Sequence, residues 1–157
     1  MPDARLLQVA DAIATEIQAG SWGQTVEAYT VFVPRFRLKT EDNGLRNLAT
    51  LRIPVIVRER DQASASRAIT LYTHRVELQF WKLVKEVGQE YSEAAVRALI
   101  TLVENVENTY NDNHILTGTT AAKAVGANTD IVWDQRFLVE DGVFFSRMFI
   151  DIQDPTR

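Results

Sequence analysis

The stretch Ile69 to Leu83, ITLYTHRVELQFWKL, decides the class of fold. Tyr72, His74, Val76, Leu78 and Phe80 alternate with Thr73, Arg75, Glu77 and Gln79. Side chains of a strand point to opposite faces at every step, so this period of two, in β-branched and aromatic residues, predicts a β-strand. A strand of about a dozen residues spans roughly 40 Å, well beyond the usual strand of about 5–6 residues. Ile69 and Leu71 place apolar groups on the opposite face from Val76 and Leu78, so the apolar side switches partway along. Either a bulge flips the register, or one end leaves the domain body and meets something else.

Upstream, Leu6, Val9, Ala10, Ile13 and Ile17 recur at three- and four-residue steps, which predicts a helix over Asp3–Ala19 with Asp3 as cap and Gly20 as stop. Tyr29, Val31 and Val33 alternate with Ala28, Thr30 and Phe32, a strand ended or bulged near Pro34. A polar turn around Asn43-Gly44 follows, and then Leu51, Ile53, Val55 and Val57 alternate with Arg52, Pro54, Ile56 and Arg58. Pro54, lacking an amide proton, implies an edge strand or a bulge. Asp61–Ser66 reads as a small-residue loop. Downstream, Ala95, Val96, Leu99, Leu102, Val103 and Val106 form the stripe of a second helix over Ser92–Thr109, capped by Ser92. Thr117–Asn128 carries no clear period. Two strands, Asp130–Trp133 and Val143–Ile152, close the chain, with Asp141-Gly142 turning into the last. Helix, three strands, helix and two strands predict a single α+β domain over residues 1–157. Its sheet is mostly antiparallel, of about five strands, with two main helices packed on it and one long projecting strand or hairpin.

Composition narrows the function. At 157 residues, with 46% apolar and 24% charged content, the chain suits one globular domain. A net charge of -4 argues against a general nucleic-acid binder, which neutralises phosphates with a basic footprint. The absence of cysteine rules out disulfides, thiolate nucleophiles and cysteine metal sites, and fits a reducing compartment. No signal-peptide core and no apolar run near the ~20 residues of a membrane span are present, so a cytoplasmic product is expected.

Catalytic candidates are few. His74 lies within the long strand, where a cross-strand or interface role is the plainer reading, and His114 follows a helix end, where the dipole accounts for it. Neither has a second ligand at metal-binding spacing. Asp130, Asp134, Glu140 and Asp141 gather at two turns, where acidic residues serve local hydrogen bonds as readily as a cation. No nucleophile elbow, phosphate loop or dinucleotide fingerprint occurs, so no enzyme activity and no cofactor are expected. Arg52, Arg58 and Arg60, with Arg35 and Arg37 upstream, form the densest basic region, which suits a subunit interface or an ordinary exposed face. Trp81, at the end of the long strand, suits an interface anchor or the domain's own core.

Several segments together resemble the tail terminator, or tail completion, proteins of long-tailed bacteriophages. They are the opening helix ending Ile17-Gln18-Ala19-Gly20 before Trp22, the pair Val33-Pro34-Arg35-Phe36 and Leu51–Val57, the strand Tyr72–Phe80, the helix around Ala98–Glu104, and the last strand Val143–Ile152. The resemblance implies a virion neck protein assembled in the host cytoplasm. Such a protein is expected to form a ring, typically a hexamer, on the last ring of the tail tube, to end tube polymerisation and to meet the head-side connector or stopper, while genome DNA passes through unbound. Subunit contacts are expected from the segment Arg67–Trp81 and the strand beside it, through Arg35, Arg52, Arg58, Arg60, Tyr72, His74, Arg75, Glu77 and Trp81, provided that both faces of that segment are not already filled within one subunit. Two alternatives stay open: another neck or tail-tube component, and a small cytoplasmic enzyme or ligand-binding domain using His74.

Overall fold

The structure, a computed structural model, describes residues 4–34, 47–65, 70–85, 91–111, 113–119 and 122–156, with the side chains of 59–65, 70, 71 and 156 outside that description. Its elements are α1 (Arg5–Ala19), β1 (Val26–Val31), β2 (Leu51–Ala65), β3 (Thr70–Leu83), α2 (Glu93–Tyr110), β4 (His114–Ile115), β5 (Lys123–Ile131), a π-helical turn (Phe137–Asp141) and β6 (Val143–Thr156). The strands form one sheet in the order β1-β2-β3-β6-β5-β4. The chain is α+β, but the expected five-stranded, mostly antiparallel sheet is instead a curled six-stranded mixed one. β1 runs parallel to β2, in the register Val26↔Leu51 to Val31↔Ile56. Parallel neighbours need a crossover of a dozen or more residues to return the chain to the same end, and residues 32–50 supply that length.

β3 lies at the centre of the sheet. It pairs with β6 without a register break from Thr70↔Thr156 to Leu83↔Val143. Its other neighbour, β2, shifts register twice, between Val57 and Arg60 and between Gln62 and Ser64. The bulges therefore sit in β2, and β3 itself keeps one alternation throughout. Residues 61–65, expected as a loop, continue β2 against Thr70–Thr73. Small polar residues carry little strand preference of their own; the long partner imposes the conformation. Pro54 also departs from expectation, because β2 is interior, with β1 on one side and β3 on the other. Arg52↔Trp81 and Val55↔Leu78 pair on either side of it, so the ladder steps over the proline.

Both helices cover the same face of the sheet, α1 over β1 and β2, α2 over β5 and β6. Val9, Ile13 and Ile17 of α1 and Val96, Leu99, Leu102, Val103 and Val106 of α2 meet Val76, Leu78, Phe80, Met148, Ile150 and Ile152 in the main core. Ser92 caps α2 as expected, its hydroxyl accepting from the Ala95 amide at 3.3 Å. α1 ends at Gly20 for a different reason than a left-handed cap, since Gly20 is extended at φ -72° and ψ 156°. There the Trp22 indole folds back and donates to Ile17 O at 2.9 Å, passing so close that a Cβ on Gly20 would lie 2.5 Å from Nε1. A second cluster, on the opposite face, joins Leu48, Trp81, Val143 and Phe145 with Ile131 and Phe137. No helix among the described residues is long and apolar enough to cross a membrane.

Candidate functional site

The alternation of β3 divides the expected interface residues between two faces. Tyr72 and His74 point with Val76, Leu78 and Phe80 toward the helices, whereas Arg75, Glu77 and Trp81 point away, beside Arg52 and Arg58 of β2. On this outer face the arginines do not stand alone. Arg58 Nη2 lies 2.6 Å from Glu77 Oε1, Gln79 donates to Glu77 Oε2 at 2.7 Å, and Trp81 Nε1 donates to Gln79 Oε1 at 2.9 Å. The relay climbs β3 at every second residue. Beside it, Arg75 pairs with Asp151 at 2.9 Å, Arg147 with Asp130 across β6 and β5, and Arg52 with Glu27 at 3.2 Å. The Phe149 ring lies between two guanidiniums, 5.6 Å from Arg75 and 5.5 Å from Arg147, in cation–π reach of both. The hydrogen bond from Arg147 holds the Asp130 carboxyl below its ordinary value and raises the guanidinium in turn. The face is a checkerboard of alternating charge.

Several expected contacts are consumed by the subunit itself. His74 is 0%, Glu77 1% and Trp81 8% exposed. From Val76 to Trp81, then, both faces of the strand are filled within one chain, contrary to the condition set for that segment. The physical reason is the second cluster: Trp81 packs on Phe145 at 4.4 Å and Phe137 at 5.5 Å between ring centroids, so the outer face has a small core of its own. What remains at the surface is Arg58, half exposed, Arg75, Tyr72 and part of Arg52. Arg35 and Arg37 lie outside the described residues, as does the Arg60 side chain, although the Arg60 backbone pairs opposite His74. Arg147, Phe149 and Asp151, which complete the checkerboard, escaped the sequence reading; their signal was the period of two along Val143–Ile152.

His74 belongs to a buried clamp. Its Nε2 lies 3.2 Å from Asp154 Oδ2, and Arg5 at the start of α1 reaches the same carboxylate with Nε at 2.7 Å and Nη2 at 3.0 Å. The clamp ties the first helix to the last strand. A second polar centre lies in a groove of about 770 Å³ between α1, the end of α2 and the turn after β4. There Glu16 accepts from the Tyr110 hydroxyl at 3.0 Å and the Thr117 amide at 2.6 Å, and His114 Nε2 stands 2.9 Å from it. Burial and the Glu16 charge push the Tyr110 hydroxyl far above the ordinary tyrosine range. His114 thus answers to Glu16 rather than to the helix dipole. Of the turn carboxylates, Asp134 accepts from the Phe137 amide at 3.0 Å and so starts the π-helical turn. No three metal-ligating side chains gather among the described residues.

No protein-family model matches the chain, and no curated protein matches it.

Proposed function

We propose that this protein is a structural subunit that forms a ring at the head-proximal end of a phage tail tube, ends tube polymerisation and joins the tail to the head connector. The observation that supports this reading best is the outer sheet face, left uncovered by both helices and set with opposed charges on adjacent strands. A ring of identical subunits needs contacts between two different patches of each. Alternating charge selects register and partner more than it adds affinity, which suits a contact that must close at a fixed number of copies. Among the described residues the same pairing leaves no unbroken basic track for phosphates, in keeping with DNA that passes without being held. The β2–β3 hairpin beyond Val57, where β2 shifts register, is the part of the long strands that we set against a neighbour. Another neck or tail-tube component would use the same features with different partners. An enzyme using His74 draws on less, since that ring is wholly enclosed; a ligand would be sought in the Glu16 groove.

Native mass spectrometry of the chain with its tail-tube protein tests the reading. Six copies of 17.8 kDa, about 107 kDa, alone or seated on tube ends, is the expected result. A chain that stays monomeric alone and ignores the tube overturns it.

A further inference from the structure

The groove between α1, the end of α2 and the turn after β4 measures about 770 Å³, a size that suits a small molecule. Its polar centre is Glu16, whose side chain is 13% exposed. Tyr110 and His114 both approach Glu16 Oε2, at 3.0 and 2.9 Å, and the Thr117 amide donates to Oε1 at 2.6 Å. These donors come from α2, β4 and the turn beyond it, so the carboxylate is held in place before any ligand arrives. Ala12, Ala19 and Trp22 give the groove apolar walls, and the bond from Trp22 Nε1 to Ile17 O fixes the indole there.

An ionised carboxylate offers about four acceptor positions on its two oxygens. Three are taken here, and the position left among the described residues lies on Oε1. The charge is left standing as well. A hydroxyl and an amide are neutral donors, and with His114 neutral none of the three cancels it. Burial first, and the Glu16 charge second, push the Tyr110 hydroxyl above its ordinary range, as an uncancelled carboxylate does. Asp11, exposed on α1, adds a second negative charge, and no lysine or arginine lines the groove among the described residues. Arg5 donates to the lining residue Gln8 at 3.3 Å, but its charge is matched by Asp154 at 2.7 Å.

We propose that the groove binds a small primary amine in its ammonium form, with the ammonium on Glu16 Oε1 and an apolar body against Ala12, Ala19 and Trp22. Other classes of ligand meet specific obstacles. An anion faces two carboxylates. A neutral apolar molecule covers Glu16 Oε1 without a hydrogen bond, which costs free energy. A guanidinium fork bonds both oxygens of a carboxylate side by side, and Oε2 is already filled by two donors. A primary ammonium needs one acceptor point, and the Trp22 face favours a cation beside it. The proposal is independent of the ring reading.

Amide NMR of the full chain, titrated separately with phenethylamine, phenethyl alcohol and hydrocinnamate, tests it, because the three probes share a body and differ in charge. The amine is expected to shift the Thr117 amide and the Trp22 indole N–H and to bind about tenfold or more tightly than the alcohol, with no shift from the acid. Glu16→Gln keeps an acceptor for the Thr117 amide and removes the charge, and it should bring the amine to the affinity of the alcohol. Should that variant unfold by circular dichroism, Asp11→Asn, at an exposed position, is expected to weaken the amine by about two- to fivefold and leave the alcohol unchanged. Equal affinity for amine and alcohol in wild type overturns the ammonium assignment, as does amine binding that neither variant weakens. Shifts confined to residues outside the groove, or no shift at about 10 mM amine, overturn the site itself.

Discussion

Replacing Asp154 with asparagine keeps the shape of the buried clamp and removes its charge. The carboxylate is 0% exposed and receives Arg5 at 2.7 and 3.0 Å, with His74 Nε2 at 3.2 Å. Hydrogen bonds to a charged group contribute about 1.5–3 kcal/mol each, and breaking a buried ion pair costs about 3–5 kcal/mol. The Arg5 side chain is 24% exposed, so water recovers part of that loss, and a net cost of about 2–4 kcal/mol follows. Against a total stability of about 5–15 kcal/mol this is a large fraction, and at about 2–4 °C per kcal/mol it lowers Tm by roughly 4–16 °C. Urea titration of Asp154→Asn, Arg5→Gln and the double variant reads it directly. Because both residues act through one contact, the cycle should show a coupling of about 1 kcal/mol or more. A cost below about 0.5 kcal/mol, or strictly additive single effects, refutes the idea that this clamp fastens α1 to the last strand.

Other consequences are equally concrete. Gly20→Ala sets a Cβ 2.5 Å from the Trp22 indole, so the ring must leave and its bond to Ile17 O is lost; a loss of about 1–3 kcal/mol in thermal or urea unfolding is expected. The Tyr110 hydroxyl is raised above its ordinary value of 10.0, so its contribution is whole below that pH and is lost as pH rises beyond it; Tyr110→Phe should flatten the fall in Tm above about pH 10. Asp130 is lowered below 3.8 by Arg147, so its contribution is present above that value and lost as pH falls through the depressed one. Melting curves from about pH 5 to pH 2 should therefore decline less steeply in Asp130→Asn than in wild type, and equal slopes would show the pair to be idle.

The helices were legible because burial of one stripe leaves a period that needs no partner to be seen. Val96, Leu99, Leu102, Val103 and Val106 are all buried, and Ser92 caps the helix they form. β3 was legible for the same reason, from its alternation. What escaped were elements whose conformation is set by a neighbour. Residues 61–65 have no apolar period, yet β3 holds them as strand. Residues 123–128 show no clear period because Ala124 and Ala127 are small; they are small where α2 packs over β5, and that proximity is a tertiary fact. The parallel β1–β2 pair likewise depends on the path between them. The site follows the same division. Arg52 and Arg58 stand out in the sequence as part of a basic region and Arg75 as a residue of the long strand, whereas their pairing with Glu27, Glu77 and Asp151 is defined only by strand order. Asp154 and His74 stand eighty residues apart in sequence, and Glu16 and His114 ninety-eight, so no local pattern could have joined them.

The role we propose for the chain is to stop a growing tube. Electron microscopy of purified tail-tube protein polymerising with and without it measures that directly. In that role the chain should give shorter tubes in proportion to added protein, each carrying one extra ring of distinct profile at a single end. A tube-length distribution unchanged at saturating protein, with bare ends, would contradict it.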